Sequence, residues 1–428
     1  MEIPILVLSF LILLSIGVPI AWSIGISSLL TMLVSIPSIS AFTTVTQRMA
    51  TGLDSFALLA IPFFILAGQI MNRGGIARRL VKFAKTLVGA LPGGLAHVNI
   101  MAAMLFGAIS GSAVAAASAI GGFMTDEMEK EGYSKEFAAA VNITSSTTGL
   151  TIPPSNILIV YSLASGGVSI AALFLAGYIP GILTGVFLMI VSAIWAKRKG
   201  FVTGKRSKLS EAFRSFLEAL PSLFLLVVVI GGIVAGIFTA TEASAVAVLY
   251  CLVLTYLYKE VSFKDIPEIF LSSVGTTAIV MLLIGASMSM SWIMAYENIP
   301  QNITEIMLSV SDSKIVVLLI INLILLFVGV FMDMTPAVLI FTPIFLPVVT
   351  KMGMDPTHFG IIMVLNLCIG LCTPPVGSVL FVGVGVAGTT IQKVIRPLLP
   401  LFIAMIVALL MVTYVPGLSL WLPRAFGF

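Results

Sequence analysis

Apolar residues in this chain gather in long runs parted by short charged clusters, and most of the runs reach the roughly 20 residues that a membrane helix needs. The first run, residues 4 to 35, is too long for one upright helix at about 1.5 Å per residue against an apolar core of about 30 Å. Gly17-Val18-Pro19 breaks it, which predicts two short or tilted helices. A more polar stretch from Ser38 to Asp54 leads into an apolar span, Ser55 to Met71. The run 96–124 is rich in small residues, with Ser110-Gly111-Ser112 near its middle. It predicts a re-entrant helical hairpin: glycine and serine supply the turn, and small side chains let the two arms pack closely. The charged loop Asp126 to Glu136 follows, and then a run over 137–162 that contains Gly149-Leu150-Thr151-Ile152-Pro153-Pro154. A double proline removes two backbone donors and clashes with the preceding turn, so a helix carrying it must break there. A further span, 168–196, completes the first half.

The second half repeats this layout. A slide of 221 residues sets Gly132 on Gly353, Ile170 on Ile391, and the first Gly-Leu-x-x-Pro-Pro on Gly370-Leu371-Cys372-Thr373-Pro374-Pro375. Within one or two residues it also pairs the Gly17-Val18-Pro19 break with Thr239 to Glu242, and Ser110-Gly111-Ser112 with Phe331-Met332-Asp333. Spans at 221–238, 242–258 and 276–297 precede a second hairpin, 325–349, and a second broken helix, 359–386. The expected fold is an all-α polytopic membrane protein of two repeats, 1–208 and 209–428. Each repeat has about five crossings plus one hairpin and one broken helix, and an odd number of crossings inverts the second copy. Backbone freed at membrane depth is tolerated only where protein or a polar cavity satisfies it. Two such breaks at matching places are a transporter's usual binding site.

Composition agrees: the 428 residues are 59% hydrophobic and 9% charged, with a mean hydropathy of +1.17. That excludes a soluble domain. The net charge of +4 sits in short loops, so it reports topology and not nucleic-acid binding. Asn72 to Lys85 carries five basic residues and Lys197 to Lys208 six; with Lys259, Lys264 and the stretch 392–396, these are expected to be cytoplasmic. The loop Asn298 to Ser313, without Lys or Arg, is expected outside. Residues 1 to 16 lack a basic start and a cleavage site, so they read as a membrane helix. Cys251, Cys368 and Cys372 fall in apolar segments and suggest packing, not disulfides or a metal.

Asp333 is an acid inside an apolar run with no basic residue near it in sequence. It reads as an ion or coupling site ahead of a helix cap or exposure at a loop. Hydroxyls cluster at Ser110, Ser112, Thr144, Ser145, Ser146 and Thr148, with Thr335 and Thr373 in the other half. Singly, each reads first as bonding to its own helix. As a set with carbonyls of unwound backbone, they suffice to cage sodium. Half-helix N-termini at the hairpin tips would face a bound carboxylate. The expected sodium set is Ser110, Gly111, Ser112, Ser145, Thr148 and Gly149 with Asp333, Gly370 and Thr373, about two sites in all. The expected substrate set is Ser110, Ser112, Asn156 and Thr335. Asn156 either lines the cavity or caps a half-helix, and Pro153, Pro154, Pro374 and Pro375 serve only to break the helices. Thr239 and Glu242 fit a capping box. His97 and His358 read as interfacial, and no catalytic constellation is present, so no enzyme is expected.

The runs Ser55-Phe56-Ala57-Leu58-Leu59-Ala60-Ile61-Pro62-Phe63-Phe64, Asn72-Arg73-Gly74-Gly75-Ile76, Ser110-Gly111-Ser112, Ile152-Pro153-Pro154-Ser155 and Thr239-Ala240-Thr241-Glu242-Ala243 resemble the large, DctM-like membrane subunit of TRAP transporters over essentially the whole chain. Ala240 departs from a proline in many relatives, and Gln69 stands where an acid is common, so no role carries over to position 69. The resemblance implies a multi-pass protein of the bacterial inner membrane. It would be a sodium-driven importer with an elevator mechanism, its hairpins and broken helices moving against a scaffold. Implied partners are a small four-helix membrane subunit, a periplasmic solute-binding protein and a carboxylate substrate, with sialic acid favoured over a C4-dicarboxylate or another sugar acid. An ion channel with the hairpins as pore loops is the competing reading.

Overall fold

A computed structural model describes every residue except Met1, 201–207, Phe263, Pro375 and Val376. Among the described residues all regular structure is helical. α1 (Glu2–Ser15) and α2 (Ile20–Ser35) part where Gly17 takes a φ of +83° and Pro19 starts the next helix. The polar stretch is itself a helix, α3 (Ser38–Leu53), with Ala41 buried. A 3-10 turn, Phe56–Leu59, leads into α4 (Ala60–Arg73).

The basic segment expected to be a loop turns at Gly74-Gly75 and becomes α5 (Ile76–Val88). Its charges had hidden an amphipathic period: Ile76, Leu80, Val81 and Ala84 are buried on one face. The basic face pairs outward, Arg79 with Glu260 at 3.5 Å and Lys85 with Glu127 at 3.2 Å. α6 (Gly94–Ser110) and α7 (Ala113–Lys130) are the first hairpin. α7 outruns the expected 124, so Asp126, Glu127 and Glu129 lie on helix, not in a loop. The broken helix is α8 (Lys135–Ser146), α9 (Thr148–Thr151) and α10 (Asn156–Ala164), followed by α11 (Ile170–Lys199).

In the second half α12 (Leu209–Val234), α13 (Ala240–Tyr258) and α14 (Ile266–Tyr296) come first. α15 (Ile299–Val310) replaces the expected outer loop and buries Ile299, Thr304 and Met307 on one face. The second hairpin is α16 (Lys314–Phe331) with α17 (Met334–Lys351), starting before the expected 325. The second broken helix is α18 (Pro356–Gly370) with α19 (Ser378–Ala387); α20 (Ile391–Tyr414) and α21 (Gly417–Ala425) end the chain. Among the described residues, eight helices are long and apolar enough to cross a membrane.

The repeat of layout is also a repeat of contacts. In the first half Asn99 of α6 donates to the Ser145 hydroxyl of α8 at 3.0 Å, and in the second Asn366 of α18 donates to the Asn322 side chain of α16 at 2.8 Å. A Cβ on Gly149 would stand 2.2 Å from the Cα of Gly107, and one on Gly370 would stand 2.6 Å from the Cα of Gly329. Hairpin arm and broken helix therefore meet backbone to backbone at matching places in both halves. The halves meet where the Cys368 thiol donates to the Thr147 carbonyl at 3.4 Å, between residues 221 apart.

Candidate functional site

Each hairpin tip and each break is local chemistry made into a helix start. At the first tip α6 ends at Ser110, Gly111 takes a φ of +62°, and Ser112 caps α7 by accepting the Ala115 amide at 3.2 Å. At the second tip Met332 is extended and Asp333 occupies the N-cap position of α17 without making a side-chain cap bond. The first break runs from Ile152 to Ser155, whose hydroxyl donates to the Leu150 carbonyl at 2.5 Å, and Asn156 opens α10. The second break includes Pro374 and Gly377 before Ser378 opens α19; Pro375 lies outside the described residues.

These four helix starts converge on one cavity of about 220 Å³. Ser110, Gly111, Ser112 and Asn156 line it from the first half, and Asp333, Thr335 and Ser378 from the second. Gln69 of α4 and Thr276 of α14 form part of the remaining wall. Asp333 is the one charged residue among the described lining. It is exposed toward this space and also lines a second cleft of about 180 Å³ beside Gly329 and Gly377. The α17 amide at Met334 and the Ser378 hydroxyl are its neighbours. The buried Oδ1 of Asn156 has no hydrogen-bond partner among the described residues. Each α-helix N-terminus carries roughly half a positive charge, so four of them around one carboxylate favour an anion and a cation side by side.

The remaining expected ligands lie away from the wall. Ser145 donates to the Asn142 carbonyl at 3.3 Å, Thr148 to the Ser145 carbonyl at 2.5 Å, and Thr373 to the Ile369 carbonyl at 2.8 Å. A hydroxyl that donates in this way keeps lone pairs for a cation. Gly149 and Gly370 carry the two close helix contacts described above. Among the described residues no group of three or more His, Cys, Asp or Glu side chains assembles. The polar side chains sharing the described wall with Asp333 are the hydroxyls of Ser110, Ser112, Thr276, Thr335 and Ser378 and the amides of Gln69 and Asn156.

Glu242 stands apart from the cavity. It accepts the Thr239 amide at 2.8 Å, and its own amide donates to the Thr239 hydroxyl at 3.2 Å, closing a capping box on α13. Both histidines are buried in protein: His358 shares a 2.6 Å hydrogen bond with Ser419, and His97 bonds the Pro92 carbonyl at 2.9 Å. The buried Nδ1 of His97 has no hydrogen-bond partner among the described residues. Sequence reasoning missed Gln69, Thr276 and Ser378. The 221-residue offset carries Asn156 to Gly377, one position from Ser378, and so held a signal for that residue. Gln69 and Thr276 reach the cavity through tertiary packing alone.

Residues 7–418 match the family described as "Tripartite ATP-independent periplasmic transporter, DctM component". The chain is 58% identical to the uncharacterized protein YgiK of Salmonella typhimurium, over 99% of this chain and 98% of that protein. It is 42% identical to the sialic acid TRAP transporter large permease protein SiaM of Vibrio cholerae, over 89% of each. With the isethionate TRAP transporter permease protein DctMQ of Oleidesulfovibrio alaskensis it shares 41% identity, over 98% of this chain and 66% of that longer protein. In fold it is similar to the solved Alcanivorax borkumensis YdaH transporter, with a TM-score of 0.64 at 13% identity over 90% of this chain and 88% of that one.

Proposed function

The chain belongs to the DctM component family of tripartite ATP-independent periplasmic transporters, and from that membership we propose that it imports an organic anion against its gradient by coupling it to sodium. It is a multi-pass protein of the bacterial inner membrane and a transporter permease, not an enzyme. The observation that carries the reading is the single cavity where two hairpin tips and two broken helices present their N-termini around Asp333. Sodium would bind with Asp333 and with the hydroxyls and carbonyls of Ser110, Gly111, Ser112 and Thr373, and deeper with Ser145, Thr148, Gly149 and Gly370. The anion would lie against Ser110, Ser112, Asn156 and Thr335. Bound sodium would offset the Asp333 charge and permit a second negative group beside it.

The family works with a small membrane subunit and a periplasmic binding protein, and the name DctMQ of one relative fits a fused pair. Halves 1–208 and 209–428 would form inverted repeats, with hairpins and broken helices moving as one body against the other helices. Sialic acid and isethionate, the solutes named for two relatives, each carry one acid group. Sialic acid is the favoured solute, and the sulfonate extends the class beyond carboxylates.

Proteoliposomes holding the chain with its membrane partner and binding protein test this. Acid uptake should follow an inward sodium gradient and collapse when potassium replaces sodium. Uptake of equal rate without sodium would sink the coupling. A passive current without binding protein would favour a channel instead.

A further inference from the structure

We propose that Gln69 reads the neutral end of the substrate and restricts the site to solutes with a single acid group. The inference rests on the organic-anion reading above and narrows it. A Cβ on Gly68 would stand 2.6 Å from the Ser110 carbonyl, so α4 rests directly on the first hairpin tip at this point. That contact fixes the next residue, Gln69, in the cavity wall, half-buried. Among the described residues its amide has no hydrogen-bond partner, although a primary amide offers two donors and an acceptor. Hydroxyl and amide groups of a solute match that set.

Charge excludes the alternative. No Lys, Arg or His is among the described residues lining the cavity. The helix starts belong to α7, α10, α17 and α19, whereas Gln69 faces the cavity from α4. A first acid group held by those starts takes up their partial charge, and Gln69 and Thr276 are left for the rest of the solute. A second acid group beside them would meet an amide and the Thr276 hydroxyl, with Asp333 the one charge on the described wall, and would stay uncompensated. Rejection by an unpaired buried charge is the stronger part of such a preference.

Matched pairs that differ only at the far end test the idea: gluconate against glucarate, and isethionate against sulfoacetate, in which a terminal alcohol becomes a carboxylate. Each is titrated onto the full chain in sodium-containing detergent buffer, without binding protein, with N-acetylneuraminate as a further single-acid probe. The wild type should bind the single-acid member at least about tenfold more tightly in each pair it recognises. Gln69→Arg, which adds the missing cation, should narrow or reverse that ratio. Gln69→Leu should weaken isethionate about tenfold and leave ethanesulfonate, which lacks the distal hydroxyl, unchanged. Equal binding of both members by the wild type overturns the proposal. So does a ratio that stays fixed in Gln69→Arg, or an equal loss of isethionate and ethanesulfonate in Gln69→Leu. Binding of no acid in sodium overturns the organic-anion reading itself, and this inference with it.

Discussion

Asp333 shows how one residue meets two demands. As the N-cap of α17 it has a position where an acid is welcome, yet its carboxylate makes no cap bond and opens instead onto two clefts. An acid used only as a cap would turn back to the amides of its own helix, as Glu242 does with Thr239. With the Met334 amide and the Ser378 hydroxyl beside it, the carboxylate still opens to a cation from the cavity. Asp333→Asn keeps the shape and removes the charge, and sodium-driven uptake should fall at least about a hundredfold while the protein still elutes as a folded species. Uptake within a few-fold of wild type would remove Asp333 from the coupling site. Glu242→Ala should behave oppositely, with a slightly lower melting temperature from a frayed first turn of α13 and an unchanged sodium dependence of uptake.

At the scale of helices, the two glycine contacts set how closely each broken helix approaches its hairpin. Gly149→Ala forces a Cβ to 2.2 Å from the Gly107 Cα, and Gly370→Ala to 2.6 Å from the Gly329 Cα, where backbone must move. Gly329→Ala, at 3.0 Å from the Gly370 Cα, asks for less. Thermal unfolding in detergent should rank them in that order, the first destabilised by about 1–3 kcal/mol. The reverse order would show that the two contacts relax differently. The helix breaks were legible in the sequence because proline and glycine act on their own backbone, so Pro153, Gly111 and Gly17 announce themselves without knowledge of neighbours. α5 and α15 were hidden because charge, the louder signal, masked a one-face apolar period. Ile299, Thr304 and Met307 are spaced to bury one side of a helix, in a segment whose lack of Lys and Arg alone had drawn notice. The part of the site from Ser110 to Asn156 and at Asp333 was readable as motif. Gln69 was not, since only packing of α4 on the tip brings it to the cavity.

At the scale of the molecule, the halves share their contacts, and the open point is their orientation across the bilayer. Lys130 and Lys351 decide it. Each is the last residue of the returning arm of its hairpin, each is exposed, and they stand 221 positions apart. The basic loops put the first hairpin's open end in the cytoplasm, and the basic-poor 298–313 puts the second's outside. Inverted repeats therefore require these two equivalent residues to face opposite sides. The wild-type chain is a quiet background for thiol labelling, because Cys251, Cys368 and Cys372 are all buried. In whole cells with a permeable outer membrane, a membrane-impermeant maleimide should label Lys351→Cys, while Lys130→Cys should react only after the inner membrane is opened. Labelling of both from one side would make the repeats parallel. The hairpins would then enter from the same face, and the four helix starts around Asp333 would need a different origin from the inverted pairing argued here.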